Sequence, residues 1–347
     1  MSTPSRVLDR LGVTLPVLAA PMAGGPSTPE LVVAAASAGS MGFLAGGYKT
    51  AGQMLEQIRE IRAAGVPFGV NLFAPNPVPV DPQAYATYAE QLAVLGQRFG
   101  VDPREVALRE DDDDWEAKIA ALIADPVPVL TFTFGIPDRP TIEALRTVGT
   151  WVGQTVTSAA EARLASAAGV DGLVVQSARA GGHSGTLTPA EPVEDLDPPE
   201  LVRRVRAVTD LPLWAGGGVS DSDDVRHILA AGAEAVAVGT LLLLSDEAGT
   251  SAAYRAGLAD PARTTTLVTR AFSGRPARGA RNGFTDAFDA SAPAGYPAIH
   301  HLTTPLRRAA AAAGDPEAVN LWAGTGFRSA RAEPAAAILG RLAAPET

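Results

Sequence analysis

Gly172-Leu173-Val174-Val175-Gln176-Ser177-Ala178-Arg179-Ala180-Gly181-Gly182-His183-Ser184-Gly185 is the stretch on which the fold turns. It begins as a short, continuous apolar run, the pattern of a strand buried on both faces. Glycines then release the backbone, and glycine lets a ligand approach the main chain closely. Among them sits a histidine, the side chain whose charge switches most easily near neutral pH. A strand that ends in glycines and a histidine reads as a strand that ends in an active site.

The same design recurs on either side. Val17-Leu18-Ala19-Ala20 ends at Pro21-Met22-Ala23-Gly24-Gly25, and Met41 to Ala45 ends at Gly46-Gly47. Phe68 to Phe73 is a third strand, Val127 to Phe132 a fourth ending near Gly135, and Trp151 to Val156 a fifth. Leu173 to Gln176 is the sixth, Leu211 to Ala215 the seventh ending at Gly216-Gly217-Gly218, and Ala235 to Val238 the eighth ending at Gly239-Thr240. Helices fall between them. Ser27 or Thr28 caps one with Pro29 in its first turn, Thr50 to Ala64 forms another, Ser158 caps Ala159 to Ala168, and Asp221 opens one that runs to Ala231. Eight strand and helix units over roughly 250 residues are the arithmetic of a (β/α)8, or TIM, barrel. An open doubly wound sheet would concentrate its glycines at one or two crossovers.

The rhythm breaks twice. Residues 75–114 are proline-rich, then helical over Pro82 to Phe99, then charged, with Asp111 to Asp114 reading as a solvated loop before a helix at Trp115. Residues 246–331 lack the repeat. The expected division is a barrel of residues 1–74, 115–245 and about 332–347, and an insertion or lid domain of 75–114 with 246–331 over the barrel mouth. Ala335 to Leu342 is a last helix expected to pack back on the barrel.

Composition narrows the function. The chain has 347 residues, a net charge of -10, 46% hydrophobic residues and no cysteine. A thiolate nucleophile, thiolate metal ligands and disulfides are excluded. The acidic balance argues against nucleic acid. No apolar run approaches the ~20 residues of a spanning helix, and Met1 to Asp9 has no apolar core of a secretory signal. A cytoplasmic protein with no membrane partner is expected. Histidine and carboxylate spacing of the zinc type is missing, so no metal is expected.

Barrel enzymes keep their chemistry at the C-terminal strand ends. The glycine turns after strands seven and eight, Gly216-Gly217-Gly218 and Gly239-Thr240, are each expected to lead into a helix N-terminus and so to form a phosphate cup. Asn71 and Gln176 carry amides that both donate and accept. Together they suit a flat heteroaromatic ring such as an isoalloxazine, and so FMN, with Ala20-Pro21-Met22 as a wall. Gly181 and Gly182 open a gap for the cofactor to approach the backbone. Of the four histidines, His227 lies within a helix and reads as a surface residue, His300 and His301 are ambiguous, and His183 is the catalytic candidate.

These residues resemble the nitronate monooxygenase family, FMN-dependent (β/α)8 enzymes with an added domain. The likeness rests on Ala20-Pro21-Met22-Ala23-Gly24-Gly25, Asn71-Leu72-Phe73, Gln176 with Ala180 to Gly185, Ala215 to Val219 and Val238-Gly239-Thr240. It extends to Thr269 through Arg278 and to Leu321-Trp322-Ala323-Gly324. The resemblance implies FMN contacts at Asn71, Gln176, Gly181, Gly218 and the segment Ala237, Val238, Gly239 and Thr240, with His183 catalytic. It implies oxidative denitrification, in which a nitronate or nitroalkane and O2 give a carbonyl compound and nitrite. Arg179 and Thr325 depart from the family pattern of glutamate and glutamine, and an arginine near the mouth bears on which substrate charge is preferred.

Two other readings stay open at this point. One is an FMN-dependent NAD(P)H oxidoreductase of the enoyl-acyl-carrier-protein reductase kind. The other is a flavin- or phosphate-binding protein without catalysis. An inosine monophosphate dehydrogenase is excluded because it needs a cysteine nucleophile.

Overall fold

The computed structural model describes residues 7–344. The outer ends of the expected barrel ranges, residues 1–6 and 345–347, and with them most of the Met1 to Asp9 stretch, lie outside the described residues. Eight parallel strands close into a barrel in the order β1, β2, β3, β4, β5, β6, β8, β9. They are β1 (Val17–Ala19), β2 (Gly42–Ala45), β3 (Phe68–Ala74), β4 (Val129–Phe134), β5 (Trp151–Val156), β6 (Gly172–Gln176), β8 (Leu213–Gly216) and β9 (Ala235–Val238). The ring closes through Leu18 paired with Ala237.

The helices form where the sequence supplies caps. Thr28, Thr50, Ser158 and Asp221 each accept a hydrogen bond from a first-turn amide of the helix that follows, a contact worth about 1 kcal/mol. The Thr50 amide in turn donates to Gln53 Oε1, completing a capping box. Two connections depart from a strict strand and helix alternation. The helix after β6, Pro198–Arg206, comes only after a long loop. The chain leaves the barrel after β9 through a 3-10 turn, Thr240–Leu242, and the helix Ala335–Leu342 returns much later to pack on β1 and the helix Pro29–Ser37.

The barrel floor is sealed by side chains. Trp214 stacks on Trp151 with ring centroids 4.5 Å apart and meets Phe43 edge-on at 6.0 Å. Val7, Leu8 and Val13 close the same cluster from below, all of them buried.

A second apolar core lies outside the barrel. It joins Tyr85, Tyr88 and Leu92 from the helix Pro82–Gln97 to Phe272, Phe284, Leu302 and Leu306 from the tail. These are the segments whose repeat fails in the sequence. The tail also holds a three-stranded sheet in the order β10 (Thr266–Thr269), β11 (Ala277–Ala280), β7 (Gly182–His183). The residues read as a flexible loop after β6 are therefore corrected to an edge strand, with His183 paired to Ala277 and Gly182 to Arg278. Among the described residues, no helix is long and apolar enough to cross a membrane.

Candidate active site

A cavity of about 440 Å³ opens at the C-terminal ends of the barrel strands. Its walls bring together the residues singled out in the sequence: Ala20, Pro21, Met22, Asn71, Gln176, Gly181, Gly182, His183, Gly217, Gly218, Ala237, Val238, Gly239 and Thr240. Tyr48, Phe73, Phe134, His300, Arg307 and Trp322 complete it, and none of these carried a role in the sequence reading.

The amides are more committed than expected. Gln176 donates from Nε2 to the carbonyl of His183 at 3.0 Å and accepts on Oε1 from the Gly185 amide at 2.6 Å. It closes its own loop, which leaves one N–H and one lone pair for a ligand. Asn71 is buried and donates to Thr131 Oγ1 at 2.9 Å and Thr133 Oγ1 at 3.1 Å on the neighbouring strand. Its carbonyl oxygen is the less engaged end.

Gly181 is present for packing. A Cβ there would lie 2.5 Å from the Gly324 nitrogen and 2.8 Å from the Ala323 Cα. A side chain at Gly181 would collide with the Ala323-Gly324 segment, while its backbone lines the cavity.

The glycine cup also needs correction. The helix after β8, Ser222–Ala230, has its N-terminus capped by Asp221 and carries Asp223 and Asp224 in its first turn. Those carboxylates already neutralise the positive helix end, so that end does not serve an anion. After β9 there is only a 3-10 turn, which begins at Thr240 without a side-chain cap. What remains is backbone. Gly217 and Gly218 have φ of 118° and 73°, a region costly for other residues. A Cβ at Gly217 would meet the Ala180 nitrogen at 2.9 Å.

One at Gly218 would meet Arg179 Cβ at 3.0 Å and Thr325 Oγ1 at 3.1 Å. The two departures from the family pattern are thus neighbours. Arg179 accepts from the Thr325 amide through its carbonyl at 3.1 Å, and its side chain points to Asp195 at 3.6 Å. It backs the glycine cup rather than the side of the cavity where His183 lies.

His183 Nε2 lies 2.8 Å from Ser273 Oγ. Ser273 Oγ also contacts the Arg275 carbonyl at 3.3 Å, and the tautomer of His183 decides which of Nε2 and Oγ donates; with Nε2 engaged by the serine, Nδ1 is the ring nitrogen left over. Phe134, Tyr296 and Trp322 surround the ring at 5.8, 5.7 and 5.4 Å. Burial, then the charges of Arg275 and Arg307, push its pKa down to about 3, so the imidazole is neutral at pH 7.

Both arginines are cationic, lowered by burial to about 10. The Arg275 guanidinium sits 4.0 Å over the Phe134 ring and donates to the carbonyls of Asn76, Ser184 and Thr186. Arg307 donates to Asn320 Oδ1 at 2.9 Å and Thr304 Oγ1 at 2.8 Å and lies 3.3 Å from His300 Nδ1. Among the described residues neither arginine pairs with a carboxylate, so the cavity is electropositive.

His300 stacks on Tyr48 at 4.1 Å and lines the cavity, and burial keeps it neutral as well. His301 turns away to Asp111 at 3.1 Å. His227 is exposed on its helix. Among the described residues no group of histidines, aspartates or glutamates is placed to hold a metal ion.

A closed parallel barrel with a sizeable cavity at the strand C-termini defines a (β/α)8 enzyme. The profile of the nitronate monooxygenase family matches residues 5–344. The chain belongs to that family of flavoenzymes and is an oxidoreductase. It is 36% identical over 342 residues to the nitronate monooxygenase of Pseudomonas aeruginosa, covering 96% of each chain. Among solved structures it is similar to the nitroalkane oxidase of Streptomyces ansochromogenes, with TM-score 0.90, 43% identity and coverage of 97% of this chain and 96% of that one. FabK of Thermotoga maritima is more distant, with TM-score 0.74 and 26% identity over 98% and 95% of the two chains. These likenesses favour the nitronate monooxygenase reading over the reductase alternative.

Proposed function

We propose that this chain binds FMN in the barrel cavity and uses it, with O2, to convert alkyl nitronates and nitroalkanes to carbonyl compounds and nitrite. The observation that carries this reading is the neutral His183 set in a cavity made electropositive by Arg275 and Arg307. Such a site favours an anion such as a nitronate.

The residues present fit the cofactor. The Gly217-Gly218 turn lines the cavity with bare backbone at positive φ, and its amides are suited to a phosphate. Thr240 Oγ1, which accepts from the Gly324 amide at 3.0 Å, can still donate to it. Asn71 Oδ1 and the spare N–H and lone pair of Gln176 would face the ring system, with Ala20-Pro21-Met22 as its apolar wall. Gly182, Ala237, Val238 and Gly239 would complete the contacts. When bound, FMN supplies the redox chemistry between substrate and O2.

The chain's own residues handle charge and protons. Arg307 lines the cavity and would hold the anion, and the charge of buried Arg275 behind His183 adds to the attraction. Neutral His183 takes a proton on Nδ1 from a neutral nitroalkane, or hydrogen-bonds a substrate that arrives ionised. Ser273 orients the imidazole through Nε2. Phe134, Tyr296 and Trp322 exclude water from the histidine, which keeps it uncharged and ready to accept. The negative charge that develops on the nitro group as the proton leaves is stabilised by the arginine charge.

We read residues 75–114 with 246–331 as the second domain, because they build the separate core and supply the cavity's far wall. A cytoplasmic location belongs to the same reading.

The test is to purify the protein and look for a flavin spectrum. Its anaerobic bleaching by propionate 3-nitronate is then compared with that by NAD(P)H. Fast bleaching by the nitronate alone supports the proposal. Rapid reduction by NAD(P)H with no response to the nitronate overturns it.

A further inference from the structure

The run Asp111-Asp112-Asp113-Asp114 reads as a solvated loop, and the structure corrects that for two of its members. Asp113 Oδ1 accepts from the Tyr48 amide at 2.8 Å, and Asp114 Oδ2 accepts from the Ala51 amide at 2.8 Å. The other oxygen of Asp113 lies 2.7 Å from Nζ of Lys118, whose side chain is only 1% exposed. Lys118 and Lys49 are the only lysines in the chain, and Lys49 donates to the Ala45 carbonyl at 2.6 Å at the same junction.

The backbone here is unusual at both ends of the contact. Asp113, Asp114 and Tyr48 have φ of 61°, 60° and 64°. Non-glycine residues adopt that left-handed region rarely, and two in succession more rarely still. Tyr48 is held in it by a charge-assisted hydrogen bond. Its ring then reaches the cavity, where it stacks on His300 and meets Phe73 at 5.2 Å. The Tyr296 hydroxyl donates to that of Tyr48 at 3.5 Å, and Tyr296 packs against His183.

We propose that Asp113 is a positioning residue: anchored on buried Lys118, it locks the Tyr48 backbone so that the Tyr48 ring forms a fixed wall of the substrate cavity. Asp113 touches neither cavity nor substrate. It acts on specificity through one amide, and it ties the insertion after β3 to the turn after β2. The role rests on the assignment of this cavity to the nitronate, and the experiment separates the two.

Steady-state kinetics with propionate 3-nitronate are compared for the parent, D113A, Y48A, D113A/Y48A and D113A/K118M, together with thermal unfolding. D113A should raise KM about tenfold, the coupling expected of residues in direct contact, with kcat changed less than about threefold. Added to Y48A, D113A should cost nothing further in KM. D113A/K118M removes both buried charges and should regain the unfolding temperature lost in D113A while keeping the raised KM. Full additivity of D113A with Y48A, or a parental KM in D113A/K118M, overturns the proposal.

Amide hydrogen exchange over residues 46–50 gives a readout free of turnover. D113A and D113A/K118M should both speed it at least about tenfold. Unchanged exchange overturns the clamp. Accelerated exchange in the variants, with a parent that fails to oxidise nitronate, retains the clamp and rejects the assignment of the cavity.

Discussion

His183 and Ser273 stand 90 residues apart in the chain and 2.8 Å apart in space. That contact couples the strand that leaves the barrel to the tail that covers it. It also fixes which imidazole nitrogen is free. S273A should leave the fold and the bound flavin intact and lower kcat about tenfold, the order of a lost orienting hydrogen bond. Flavin absorbance per protein and steady-state rates on nitroethane check it. An unchanged kcat would remove Ser273 from the mechanism.

Replacing the histidine itself separates its two roles. H183N should retain flavin and lose about 10² to 10⁴ of the rate on a neutral nitroalkane, the usual worth of a positioned base. The loss on a pre-formed nitronate should be smaller, because no proton then has to be removed. Equal losses on both substrates would mean that His183 binds charge and does not move a proton.

The glycine cup can be tested without turnover. G218A forces an L residue to φ of 73° and brings a Cβ to 3.0 Å from Arg179 and 3.1 Å from Thr325. Strain of about 1 to 3 kcal/mol is expected, which would weaken FMN binding by roughly tenfold or more. Ultrafiltration of the purified variant should release the yellow colour that the parent retains. Full retention would remove Gly218 from the cofactor site.

Burial of a neutral histidine has a sign in the pH dependence of stability. His183 titrates near 3 in the fold against an ordinary 6.5, so between those values the unfolded chain binds a proton that the folded chain does not. Stability therefore falls as pH drops through that window and is regained above 6.5. One such group contributes at most about 1.4 kcal/mol per pH unit. His300, also pushed down by burial, adds in the same direction. Urea unfolding at pH 6.5 and 5 should show H183Q losing less stability than the parent on acidification. Identical losses would show that His183 is already solvated in the fold.

The barrel was legible in the sequence because its strands are short apolar runs and its helices begin at Thr28, Thr50, Ser158 and Asp221, side chains whose capping chemistry is local. The near wall of the cavity was legible for the same reason, since Ala20, Gln176 and Gly239 sit at strand ends and Asn71 lies within β3. The far wall was not. His300 and Arg307, which line it, and Arg275 and Tyr296, which lie behind them, come from a tail without periodicity, and their roles depend on contacts across the whole chain. Asp113 looked like one of four solvated carboxylates, and only its partners Tyr48 and Lys118, from separate elements, set it apart. Gly182 and His183 form a strand only because β11 lies beside them.

Because Trp151, Trp214 and Phe43 cork the lower end of the barrel, nothing reaches the cavity through the barrel floor. Substrate, dioxygen, nitrite and the carbonyl product must then all enter and leave on the side of the strand C-termini. Nitrite that lingers there would delay the next turnover, so its escape is a step on which selection for speed can act, quite apart from the bond-breaking chemistry.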